Sequence, residues 1–189
     1  MPVGFVAAGV AIVLGLALSG SVSADGGSDA SRADFSVEHA RRFVEFPLYS
    51  GGDRVEGLPL VAVLRRDDTA DYVSFVYGDC VADDESGCAP PAEIQVWPAC
   101  RRNLALYDSE EARGVPPERL SMRGVPAALF DGGTRLELQT RSSTVVIFAD
   151  SRARALRIAA ALRAVDGSVA PGRPLPQPEP GAVGGAMDC

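Results

Sequence analysis

Apolar and polar positions along this chain fall into two periodic patterns, and each predicts a different kind of element. Near the start, Phe35, Ala40, Phe43 and Val44 recur at near-helical spacing behind Asp34 and Ser36, either of which can cap the first free amides. A helix over 34–46 follows, ended by Pro47, whose ring disfavours helical angles in the residue before it. The middle of the chain switches to the two-residue period of strands. Leu48-Tyr49 opens a short one. Leu60–Leu64, Tyr72–Gly78, Glu93–Trp97, Met122–Phe130, Thr134–Thr140 and Thr144–Phe148 are longer, and Asn103–Tyr107 is a further short piece. In Tyr72–Gly78 the residues Val73, Phe75 and Tyr77 form a strongly apolar and aromatic face. Thr144–Phe148 is an almost unbroken apolar run, the mark of a central strand. Gly124 and Pro126 interrupt Met122–Phe130 and assign it to an edge or a bulge. Within 109–121, which contains Pro116-Pro117, one helical turn is expected to start at Pro117. The helical period returns at Ala155, Ile158, Ala159, Leu162 and Val165, behind an Asp150-Ser151 cap and ahead of Asp166-Gly167.

Helix, strands, then helix predicts an α+β fold: an antiparallel sheet of about five to seven strands with an N-terminal and a C-terminal helix packed on it. The body of this single domain is 34–166. Residues 167–189 are rich in proline and glycine and read as a disordered tail, since such a stretch forms neither a helix nor a central strand. Residues 25–33 read as a spacer.

Residues 2–24 carry no charged side chain, and Val3–Leu18 is apolar or glycine throughout. The small residues before Asp25 fit cleavage after Ala24, as in a secretory signal. An uncleaved anchor through residues 3–18 is the other reading, and the shortness of the run with glycines at 4, 9, 15 and 20 favours cleavage. A basic leader is absent apart from the α-amino group. Both readings put the rest of the chain outside the cytoplasm, secreted or tethered to the membrane.

Composition narrows the function classes. The chain of 189 residues has a net charge of −7, which argues against general nucleic-acid binding, where a basic face is required. Every basic residue is arginine, a pattern that a GC-rich coding bias produces without any functional demand. The single histidine, His39, lies on the first helix with no second ligand-type partner, so a Ser-His-Asp or Cys-His centre would have to run through it alone. No Gly-x-Ser-x-Gly elbow and no phosphate loop occurs. Asp83, Asp84, Glu85 and Gly87 are out of phase with a calcium loop. No catalytic residue, metal ligand or cofactor is assigned.

The most distinctive stretch is Phe75–Cys100, with three of the four cysteines, the sole tryptophan and an acidic loop. In an exported chain oxidation is the default. The spacings match no zinc pattern and include no Cys-x-x-Cys. Antiparallel pairing of Tyr72–Gly78 with Glu93–Trp97 brings Cys80 and Cys88 together at the neck of the loop. The alternative bridge is Cys88–Cys100. Cys189 pairs with the odd cysteine, stays free or links two molecules. Tyr77, Asp83, Asp84, Glu85 and Trp97 are the candidate contact surface.

The pattern Phe75-x-Tyr77-Gly78-x-Cys80, then Cys88-x-Pro90-Pro91-x-x-Ile94-Gln95-x-x-Pro98-x-Cys100, resembles a group of uncharacterised exported proteins from high-GC Gram-positive bacteria. Arg123–Ala127 and Thr144–Phe148 are similar to the group's later segment. The resemblance implies an extracytoplasmic location and carries no activity with it. The expectation is a non-catalytic domain of the cell envelope that binds a partner or small ligand. The alternative is an envelope hydrolase using two carboxylates.

Overall fold

The computed structural model describes residues 35–66, 70–81, 87–105 and 116–189. The expectations for 1–33 therefore lie outside the described residues. Among the described residues no helix is long and apolar enough to cross a membrane.

The first helix, α1 (Val37–Arg42), is shorter than the periodicity predicts. Ser36 caps it by accepting from the His39 amide, and the His39 ring accepts in turn from the Ser36 amide, both at 3.3 Å. Histidine thus fills the place of the glutamate in a capping box, a structural use for the only histidine. The helix stops at Phe43 because that ring packs edge-on against both Phe35 and Phe46, which pulls the backbone out to ψ 131. Only Ala40 of α1 is buried, so α1 is not a cover for the sheet as expected.

The strands follow as β1 (Tyr49–Ser50), β2 (Arg54–Val55), β3 (Leu58–Arg66), β4 (Tyr72–Tyr77), β5 (Ala92–Pro98), β6 (Glu118–Met122), β7 (Val125–Phe130), β8 (Arg135–Thr140) and β9 (Ser143–Ala149). Helix α2 (Arg152–Ala161) and β10 (Arg163–Ala164) complete the order. The main sheet is fully antiparallel and eight-stranded, in the order β2-β3-β4-β5-β9-β8-β7-β6, while β1 and β10 form a separate pair. Two meanders, β2–β5 and β6–β9, join at β5 and β9. The α+β class stands in outline, but the strands outnumber the expectation.

The excess strands have local causes. Glu56-Gly57 and Arg123-Gly124 both adopt positive φ at each residue (51° and 80°, 54° and 89°), the geometry of two-residue hairpin turns whose twist matches the flanking strands. Arg123-Gly124 therefore divides the expected Met122–Phe130 strand into the hairpin β6–β7, and 118–122 is extended where a helical turn was expected. Helix α2 ends at Ala161, short of Val165, because Arg163-Ala164 pairs with Ser50-Tyr49. Arg123 supplies the cap: its guanidinium donates to the carbonyls of Leu162 (2.5 Å), Ala170 (2.9 Å) and Arg173 (2.6 Å).

The alternation of each strand sorts its side chains between two faces. Val73, Val96, Val145 and Leu138 lie in one row across β4, β5, β9 and β8, and Phe75, Ile94, Ile147 and Leu136 in the next. Helix α2 covers this face through Ala155, Ile158 and Ala159, making one dry core. The opposite face carries Ser74, Gln95 and Glu137 in one row and Val76, Glu93, Phe148 and Arg135 in another.

The C-terminal segment overturns the disorder expectation. Residues 167–189 form a strap across the edge of the β8–β9 hairpin. Arg141, at the hairpin tip with φ 49°, donates its amide to Gln177 and accepts at its carbonyl from Glu179. Thr140 donates to the carbonyl of Pro176 (2.7 Å), Gln139 to that of Ala182 (2.9 Å), and the Leu175 amide to the carbonyl of Arg123. Val169, Leu175 and Ala182 are buried. The strap's own hydrogen bonds are a few turns, such as Arg173 to Ala170 and Ala182 to Glu179, and its extended proline-rich part offers the Pro176 and Gln177 carbonyls to the hairpin.

Candidate functional site

The polar face of the sheet, next to the disulfide-closed loop, holds the arrangement best suited to binding. Its floor is built by alternation alone. Leu64 and Arg66 come from β3, Tyr72, Ser74 and Val76 from β4, and Glu93 and Gln95 from β5. Val81 and Pro90, from either side of the Cys80–Cys88 bridge, form the lip of a hollow of about 170 Å³. Within it the Glu93 Oε1 accepts from the Ser74 hydroxyl (2.6 Å) and from the Gln95 amide nitrogen (2.9 Å). The Gln95 carbonyl oxygen accepts in turn from the Trp97 indole N–H (3.1 Å). Glu93 is thereby fixed by its neighbours with one oxygen committed, and the Trp97 ring is linked to it through a single amide.

Beside the hollow runs a stack that orders the face. Trp97 lies on Tyr72 with ring centroids 4.3 Å apart and 26° between planes, and the Arg102 guanidinium covers Trp97 at 5.2 Å. Arg102 also reaches Glu137, donating from Nε to Oε2 at 3.1 Å and closing a second bond from its NH2 group to Oε1. Glu137 has no exposed surface, and Arg135 stands 3.6 Å from it. A fully buried carboxylate requires such partners, since an unpaired charge in a dry interior is costly. This network pins the segment after β5 against the sheet, where Leu104 also packs on Ala128 and Phe130.

Cys80 is bonded to Cys88 and Cys100 to Cys189, so the Cys88–Cys100 bridge is not formed and Cys189 is neither free nor a link between molecules. Asp83, Asp84 and Glu85 lie outside the described residues. Trp97 is half-buried between Tyr72 and Arg102. Tyr77 must be corrected: it is fully buried and offers no contact surface. Its hydroxyl accepts from the Gly51 amide (2.8 Å) and donates to the Gly52 carbonyl (3.1 Å), tying the β1–β2 turn to the core. Strand alternation had already put Tyr77 on the face of Val73 and Phe75, which is the buried one.

Burial pushes the Tyr77 hydroxyl up to about 12. A group raised in the folded state contributes stability fully below its unfolded value, near 10, and loses it as pH rises towards 12. Two units correspond to about 2–3 kcal/mol. The native protein should lose that amount between pH 10 and 12 in rapid urea titrations. Tyr77→Phe should start about 1–2 kcal/mol lower, with the Gly51 amide unsatisfied, and show a shallower alkaline decline. An equally steep decline in the variant would exclude Tyr77 as its source.

A second hollow, of about 370 Å³, lies where Cys189 meets Cys100 and carries Glu45, Asp71 and Asp188. Glu45 and Asp71 converge on one Arg65 nitrogen at 2.7 and 3.8 Å. This is an ion-pair cluster, unlike two carboxyls flanking a bond to be cut. Among the described residues no group of three or more side chains is placed to hold a metal ion.

Sequence reasoning missed Arg66, Ser74, Glu93, Gln95, Arg102 and Glu137. The signal for most of them was present as the polar half of each alternation, set aside in favour of the apolar half. No family model, curated protein or solved structure matches the chain. Function must therefore be argued from the site itself.

Proposed function

We propose that this chain is an exported, disulfide-stabilised domain of the cell envelope, related to the exported high-GC Gram-positive group its cysteine pattern resembles, and that it binds a partner or small ligand without catalysing a reaction. The observation that carries the reading is the pairing of all four cysteines into two bonds. Such bonds persist in oxidising compartments and are rare in the cytosol. The apolar, charge-free residues 2–24 support the same location. Binding is supported by the contrast between the faces: one is sealed by α2, the other opens into a polar hollow with fixed donors and acceptors.

The test is fractionation of a high-GC Gram-positive host expressing the full chain, with thiol alkylation before lysis and intact-mass measurement with and without reduction. The expected product lies outside the cytoplasm, accepts no alkyl group until reduced, and accepts four afterwards. A cytoplasmic product alkylated at every cysteine without reduction would overturn the proposal.

A further inference from the structure

The hollow's two charged ends define what fits between them. Arg66 and Glu93 stand two strands and four residues apart in the register, about 16 Å between their backbones. Both side chains line the hollow, from register positions at opposite corners of its floor. Among the described residues the Arg66 side chain makes no hydrogen bond or ion pair. Glu93 uses Oε1 for Ser74 and Gln95, which leaves Oε2 for an incoming donor. Between the two charges lie Ser74 and Gln95, both already donating to Glu93, flanked by apolar Leu64 and Val76 on the floor and Val81 and Pro90 at the lip.

An unpaired guanidinium fork suits a carboxylate, and a fixed carboxylate suits an ammonium group. A free amino acid carries both groups on one carbon and cannot reach both ends. One peptide unit adds about 3.8 Å between its α-carbons. Resting on the binding reading above, we infer that the hollow takes a zwitterionic short peptide of dipeptide size, its carboxylate on Arg66 and its ammonium on Glu93, with small apolar side chains over Leu64 and Val76.

The sole tryptophan supplies a readout, since Trp97 is tied to Glu93 through Gln95. The oxidised full chain would be titrated with L-alanyl-L-alanine, its N-acetyl form, its C-terminal amide and the doubly blocked compound, with maltose as an uncharged probe. Trp97 fluorescence and the amide resonances of Ser74, Glu93 and Gln95 would be followed. The free dipeptide should bind, and blocking either end should weaken binding at least about tenfold. Arg66→Gln should abolish discrimination between the free dipeptide and its amide, and Glu93→Gln discrimination between the free and acetylated forms. Glu93 also holds Ser74 and Gln95, so Arg66→Gln, at the open end, tests the inference without touching that network. Equal responses to the free and doubly blocked dipeptides, or to maltose, would overturn the zwitterion inference while leaving a binding hollow in place. No response to any probe would overturn it too. Neither result bears on location or cysteine pairing, which the fractionation decides.

Discussion

Replacing Cys100 and Cys189 by serine is expected to destabilise the protein by about 4–5 kcal/mol, against about 2.5 kcal/mol for the Cys80 and Cys88 pair. The difference follows from sequence separations of 89 and 8, because a longer closed loop removes more freedom from the unfolded chain. The local consequences differ as well. The long-range bond anchors the end of the strap, whose other attachments include hydrogen bonds to Arg123, Gln139, Thr140 and Arg141. Without it, the amides of Leu175 and Glu179 should lose much of their exchange protection while those of β5 and β9 keep theirs. Urea titrations of the two double variants, paired with native-state hydrogen exchange, check both points. A larger cost for the short loop, or an unchanged strap, would refute the anchoring role.

The second large effect is expected at the buried ion pair. Glu137→Ala should cost about 3–5 kcal/mol, because it strips Arg102 of its bidentate partner and removes the anion that Arg135 also faces. Arg102→Met should cost a similar amount by leaving Glu137 buried without its bidentate partner. The double variant Glu137→Leu with Arg102→Met should recover most of the loss, since a packed apolar pair avoids the desolvation that the ion pair must overcome. Urea titration of the three variants gives these values, and Trp97 fluorescence should shift wherever Arg102 is gone, since its guanidinium covers that ring. Single variants costing under about 1 kcal/mol would show that the pair is solvated and marginal.

Much of the sheet was legible in advance. β4, β5, β8 and β9 were found within a residue or two because each alternates or runs apolar on a face that α2 or the core must cover. The Cys80–Cys88 neck followed from the pairing of two such strands. The hairpin at Arg123-Gly124 was missed because an arginine at φ 54° is not a local preference; it is held there by the carbonyls its guanidinium reaches. The strap was missed for a related reason. Proline and glycine report what a segment cannot do on its own, and they say nothing about acceptors waiting elsewhere in the fold.

At the candidate site the division is similar. Tyr77 was singled out as an aromatic residue near cysteines, although its own alternation puts it inward. Glu93 and Arg66 bear no local mark of a site. Their meaning depends on register, since only the pairing of β3 with β4 and of β4 with β5 makes them opposite ends of one hollow. Glu137 alternates with Leu136 and Leu138, and its burial comes from the segment around Arg102 that covers it.

By itself, then, the sequence determined strand period, face polarity and the last helix, because these depend on neighbours two to four residues away. Only the tertiary structure decided the order of the two meanders, the Cys100–Cys189 bond, the docking of the strap and the polar hollow. Each of these joins residues tens of positions apart, and no local preference encodes which distant donor will meet which acceptor.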